Sequence, residues 1–201
     1  FSVLCTDPSL DTDEMFSLRT KFFRRYPSLM RRGALYCLAQ SGSPRFVPTL
    51  VLVLDNNELL ESDNLYWGEE KEQKEIAKRY REDITLILFP KLCETTREIR
   101  LSTRNHSSDV NSLVWSKSYN SNSAARKIVE LVKLAFEEYE PADFLGYVAQ
   151  KNFVQSPIAN EIILATMEKF PIQFSDSVVA WLLDDFAHRI FVGTYSPRDH
   201  L

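Results

Sequence analysis

The sequence predicts an all-α fold, and three observations carry that prediction. Apolar residues recur at steps of three and four, the spacing of one face of an α-helix. Ser, Thr and Asp caps alternate with prolines about one helix length apart. Glycine occurs only 5 times in 201 residues, too rarely for a loop-rich all-β fold or for glycine-rich nucleotide-binding turns. Two architectures fit: an irregular helical bundle, or helix pairs stacked in a HEAT- or armadillo-like array in which each pair buries its face against its neighbours. No clean internal repeat chooses between them.

Taken in order, residues 1–10 read as a short strand or an extended arm, broken at Asp7-Pro8. Thr12 caps a helix with Asp13 and Glu14 in its first turn, where carboxylates suit the dipole. Pro27 ends it, and Ser28 starts another that runs to Gly42. The apolar run 49–54 fits either a buried strand or a helix; Pro48 and the flanking pattern favour a helix opening at that proline. Asn56 begins a short turn through Leu60. Residues 69–83 form a charged, exposed helix that enters a buried one at 84–89; Pro90 kinks or ends it, and helix resumes over 91–99. Residues 100–122 are polar, with Trp115 as a tether to the core. Residues 123–193 read as four helices around which the chain is organised, started or stopped at Ser123, Pro141, Ser156-Pro157, Pro171, Ser175 and Gly193. The last of these is apolar on nearly every side, a pattern that predicts a central, buried position.

The chain reads as one helical domain over 1–201, with a sub-boundary within 100–122. Apolar residues make up 44% and charged residues 26%, enough for a sizeable core and unlike a disordered chain. The 13 Phe and 8 Tyr predict a core rich in aromatic rings. Net charge is -4. It is unevenly spread: residues 123–201 carry 11 acidic and 7 basic groups, and residues 1–122 carry 17 of each. That balance lacks the domain-wide basic footprint of a nucleic-acid binder. Cys5, Cys37 and Cys93 are odd in number and scattered, which fits buried thiols in a reducing compartment, so the expected location is intracellular, cytoplasmic or nuclear. No apolar run approaches the ~20 residues that span a bilayer, and no membrane partner is expected. The start, Phe1-Ser2-Val3-Leu4-Cys5, lacks both a signal-peptide pattern and an initiator Met, so the chain is expected to be a domain of a larger protein or a processed product.

Two stretches stand out as candidate binding surfaces. Arg19, Lys21, Arg24, Arg25, Arg31 and Arg32 interleave with Phe22, Phe23 and Tyr26. Such a strip can neutralise phosphates while its rings stack on bases, or meet an acidic partner such as the carboxyl-terminal region of another copy. Helical spacing favours a plainer reading, in which the rings face the core and the charges are solvated. Tyr66 and Trp67, beside Gly68, sit at a loop–helix junction as a hydrophobic staple or an interface anchor. Asp184 and His188 lie at i, i+4, but no third or fourth metal ligand accompanies them, and His106 and His200 suggest no triad. The Asn105-His106-Ser107 sequon stands without other signs of secretion. The expectation is therefore an interaction domain that binds another protein or itself, acting as scaffold, adaptor or oligomerisation element. Single-stranded nucleic-acid or RNA binding through 19–32 is the alternative. A metal-assisted hydrolase centred on Asp184 and His188 is the third and least favoured reading; no cofactor or metal is expected.

Overall fold

The computed structural model describes residues 11–26, 33–56, 60, 66–102, 124–150 and 156–184. Among them the regular structure is helical and no strand occurs. The helices are α1 (Asp13–Arg25), α2 (Gly33–Ser41), α3 (Phe46–Leu54), α4 (Glu70–Arg79), α5 (Arg81–Asp83), a π-helical stretch (Ile84–Leu88), α6 (Phe89–Ser102), α7 (Ala124–Glu137), α8 (Pro141–Gln150), α9 (Pro157–Glu168) and α10 (Pro171–Asp184). The expected strand or arm at 1–10, the boundary residues 103–123 with Trp115, and His188 lie outside the described residues.

Local chemistry fixes several of these boundaries. Thr12 Oγ1 accepts from the Met15 N–H at 3.3 Å, and Ser156 Oγ accepts from Ala159 N–H at 3.2 Å ahead of Pro157. Helix α2 ends where Gly42 adopts φ +72°, which lets the Ser43 N–H reach back to the Leu38 carbonyl at 3.0 Å. Carbonyls at that end are also served from the end of α4 and the residue after it: Arg79 Nη1 donates to Ala39 O at 2.9 Å, and the Tyr80 hydroxyl adds a second bond to Leu38 O at 3.2 Å. The ambiguous run 49–54 is helical, but the helix opens at Phe46, two residues before the expected start at Pro48; Phe46, Val47, Leu50 and Val53 of α3 all lie in the core.

The chain passes Pro90 without breaking. Proline lacks an N–H, so one carbonyl of the preceding turn must lose its partner. The register slips to π over 84–88, with the Phe89 N–H bonding Ile84 O five residues back. In that register the Thr85 carbonyl would await the N–H that Pro90 does not have. Tyr147 of α8 supplies the donor instead, its hydroxyl 2.7 Å from Thr85 O. The Thr85 hydroxyl lies 2.9 Å from the Tyr139 hydroxyl, so both polar groups of this buried residue are engaged from the α7–α8 side. The stretch is not wholly buried as its sequence suggests: Leu86 and Ile87 face outward.

The central helix is α7. Ala124, Ala125, Ile128, Val129, Leu131, Val132, Ala135 and Phe136 are all buried, and α7 packs against α3, α4, the π stretch and α9. A line of aromatic contacts then runs Phe89–Phe136–Phe144–Phe174, with centroid separations of 5.0, 5.5 and 5.7 Å, and ties α6, α7, α8 and α10 together. Lys133 of α7 meets Glu161 of α9 at 2.9 Å, with little of either side chain exposed.

Two expectations about the carboxyl-terminal region are corrected. Pro171 opens α10 rather than closing the preceding helix, and Ser175 lies inside α10 instead of capping it. The last helix is also peripheral rather than central. Of residues 171–184 only Phe174 and Leu182 are buried, and α10 packs on α9. A run rich in apolar side chains marks a buried helix only where neighbours cover every face; here one face is covered.

Candidate interaction surfaces

Helix α1 divides cleanly into two faces. Arg19 and Phe23, four residues apart, point inward and are buried. Arg19 pairs with Asp11 at 3.6 Å; Asp11 also binds Arg45 at 3.2 Å and accepts from the Ser43 hydroxyl. Arg45 completes the network on Asp13 at 2.7 Å. These contacts pin α1 to the turn between α2 and α3. The outer face carries Leu18, Lys21, Phe22 and Arg25, continued by Tyr26, all exposed, with Leu18 at 59%. Phe22 and Tyr26 pair ring to ring at 5.3 Å, and the Arg25 guanidinium lies 5.5 Å from the Tyr26 centroid.

The basic strip is thus split by the fold. Lys21, Arg24 and Arg25 are solvent-facing, Arg19 is an enclosed ion-pair partner, and Arg31 and Arg32 lie outside the described residues. Of the three aromatic residues in the strip, Phe23 alone is in the core. Adjacent residues are about 100° apart on a helix, so Phe22 and Phe23 cannot share a face.

The Tyr66–Trp67 junction also divides. Trp67 is 1% exposed and belongs to the core, where its indole Nε1 has no hydrogen-bond acceptor among the described residues. Tyr66 is half-buried and stacks on Tyr36 at 5.5 Å, and its hydroxyl donates to Glu69 Oε1 at 3.0 Å. Glu72 gathers this corner: it accepts from the Glu69 N–H at 2.8 Å and from the Tyr36 hydroxyl at 3.3 Å. The adjacent carboxylate Glu72 raises the Tyr36 pKa; burial, with Glu69 next, raises that of Tyr66. Gly68 holds the approach at φ +148°, where an added Cβ would meet Glu72 Cβ at 2.9 Å. Glu69 and Glu72 form the capping box that opens α4, and the buried Trp67 presents no surface to a partner.

The structure adds a surface that sequence reasoning missed. The outer face of α10 exposes Ile172 (89%), Val179 (56%) and Leu183 (68%), with Asp176 among them. The signal was present in the sequence, since 172, 176, 179 and 183 follow steps of four, three and four.

Chemistry-bearing groups elsewhere are quiet. Burial pushes the Cys93 thiol up to about 12, and burial also raises Cys37, so neither supplies thiolate readily at neutral pH. Among the described residues no three His, Cys, Asp or Glu side chains come together as a metal site, and no helix is long and apolar enough to cross a membrane. A shallow depression of about 230 Å³ at the α4–α5 break is lined by the single stretch 78–83. Arg81 bridges from there to the turn after α7, donating to Glu138 O at 3.2 Å with its guanidinium 4.9 Å from the Tyr139 centroid. No protein-family model, curated protein or solved structure matches this chain.

Proposed function

We propose that this chain is a protein–protein interaction module of a larger intracellular protein, a scaffold or adaptor that binds a partner or another copy of itself. One observation carries the reading: the outer faces of α1 and α10 each expose an ordered row of large apolar side chains, Leu18 and Phe22 on one, Ile172, Val179 and Leu183 on the other. Apolar side chains in register along a helix cost solvation free energy until something covers them. The free thiols Cys37 and Cys93 support a reducing, intracellular setting. The test compares wild type with Leu18→Ser plus Phe22→Ser and with Val179→Ser plus Leu183→Ser, each checked for unchanged helicity. Retention of a defined partner, a second copy included, that falls at least tenfold in either variant supports the module. Wild type and both variants indistinguishable in retention and in mass would overturn it.

A second reading, single-stranded nucleic-acid binding through 19–32, draws support from Phe22 and Tyr26 facing outward beside Lys21, Arg24 and Arg25. It ranks lower because Arg19 is committed to Asp11 and the chain is net acidic, at -4. Oligonucleotide affinity at two salt concentrations decides it. Arg24→Glu plus Arg25→Glu weakens binding and flattens the salt slope if the strip binds phosphates. Unchanged affinity removes the reading.

A further inference from the structure

The exposed faces of α1 and α10 complement each other. On α10 the seam Ile172, Asp176, Val179, Leu183 places a carboxylate within an otherwise apolar row. An ionised Asp in such a row is tolerated under a cover only if the cover brings a cation to it, and a single polar position of this kind sets the register of a helix pair. On α1, Leu18, Phe22 and Arg25 follow steps of four and three. Read backward, Leu183, Val179 and Asp176 follow the same steps. An antiparallel pairing brings Leu18 against Leu183, Phe22 against Val179 and Arg25 against Asp176. Residues 18–25 and 176–183 each rise about 10.5 Å, so the three pairs stay in step. A parallel pairing that starts with Leu18 on Ile172 instead sets Phe22 on Asp176 and Arg25 on Val179, two mismatches.

Both faces are exposed in the same molecule, so α1 does not cover α10 of its own chain. We infer that α1 of one copy docks antiparallel on α10 of a second copy, through Leu18, Phe22 and Arg25 on one side and Leu183, Val179 and Asp176 on the other. The inference rests on the interaction reading and names its partner. The contact is heterologous, since two different surfaces meet, so each copy carries one donor face and one acceptor face.

That asymmetry supplies the test. Arg25→Glu spoils the α1 face and leaves α10 intact; Asp176→Arg does the reverse. Sedimentation velocity should show wild-type mass rising with concentration and falling as salt is raised. Each variant alone should self-associate at least tenfold more weakly, while their equimolar mixture should regain a dimer, because the intact α1 of one meets the intact α10 of the other. Circular dichroism checks that both variants fold; should either fail to, Leu18→Asp and Leu183→Asp take the same two roles. Arg25→Glu associating like wild type, or a mixture no heavier than its components, would overturn the inference. A wild type that stays monomeric yet loses a different partner on Phe22 or Leu183 substitution would overturn self-association alone and leave the interaction reading standing.

Discussion

Replacing Tyr147 with Phe should destabilise the fold by about 1–3 kcal/mol, the cost of leaving a buried acceptor unsatisfied. Its hydroxyl donates at 2.7 Å to the Thr85 carbonyl, the group left over when the π register meets a proline. The ring itself stays, so its packing at 5.4 Å on Phe136 is unchanged, and the loss reports the hydroxyl alone. For a chain of this size, thermal unfolding should shift down by roughly 2–4 °C per kcal/mol. The decisive comparison is a double-mutant cycle with Pro90→Ala, which restores an N–H able to reach Thr85 O or, in α register, Leu86 O. In that background Tyr147→Phe should cost at least about 1 kcal/mol less. A Tyr147→Phe cost below about 0.5 kcal/mol, or equal costs in both backgrounds, would refute the claim that Tyr147 serves the carbonyl Pro90 cannot.

Further outcomes follow from the same contacts. Asp11→Ala removes one ion-pair partner of buried Arg19 and the link from α1 to Ser43, leaving Arg45 on Asp13; a loss of about 2–3 kcal/mol in denaturant unfolding is expected, below the ~3–5 kcal/mol of a fully enclosed pair because Asp11 keeps some water contact. Gly68→Ala combines a positive φ with the 2.9 Å approach to Glu72 Cβ and should cost roughly 1–3 kcal/mol, whereas an unchanged midpoint would contradict the assigned backbone. Stability should also fall at alkaline pH. The Cys93 thiol is raised by burial from 9.0 to about 12, so its contribution is whole below about pH 9 and is lost as pH rises through about 12. The Tyr80 hydroxyl, raised by burial from 10.0 to about 12, adds to the loss over the upper part of that window. For Lys133, burial opposes the charge, but Glu161 and Glu130 outweigh it and raise its pKa, so its share too is lost only above the ordinary lysine range. Cys93→Ala should flatten the first part of the decline, between about pH 9 and 10, and an unchanged profile would count against an enclosed neutral thiol.

Much of the fold is legible in the residues because local chemistry decides it. Thr12, Pro141 and Ser156-Pro157 start helices where their side chains or fixed φ dictate, and 49–54 is helical as read, although its helix opens at Phe46 rather than at Pro48. What is not legible is which face each helix has covered. Periodicity groups Arg19 with Phe23 and Leu18 with Phe22, but only the Asp11–Arg45 network shows which pair turns inward. The same gap explains α10. Its contiguous apolar residues suggest a central helix, whereas the centre is taken by α7, whose buried row is wider and flanked by four packing partners. Trp67 reads as staple or anchor until its burial removes it from the surface. Pro171 reads as a stop because proline both ends and begins helices, and only the Phe170 carbonyl accepting from Gln173 and Phe174 shows that it begins one.

The central claim, that α1 and α10 are contact faces for one another between copies, is tested most directly by oxidative trapping across the pairing. In a background with Cys5 and Cys37 replaced by serine, Phe22→Cys in one copy and Val179→Cys in a second should form a covalent dimer on mixing, because facing seam positions lie within disulfide reach. Phe22→Cys mixed with Ile172→Cys, displaced by seven residues or about 10.5 Å along the helix, should not. Equal trapping by both pairs, or trapping by neither, would contradict the account.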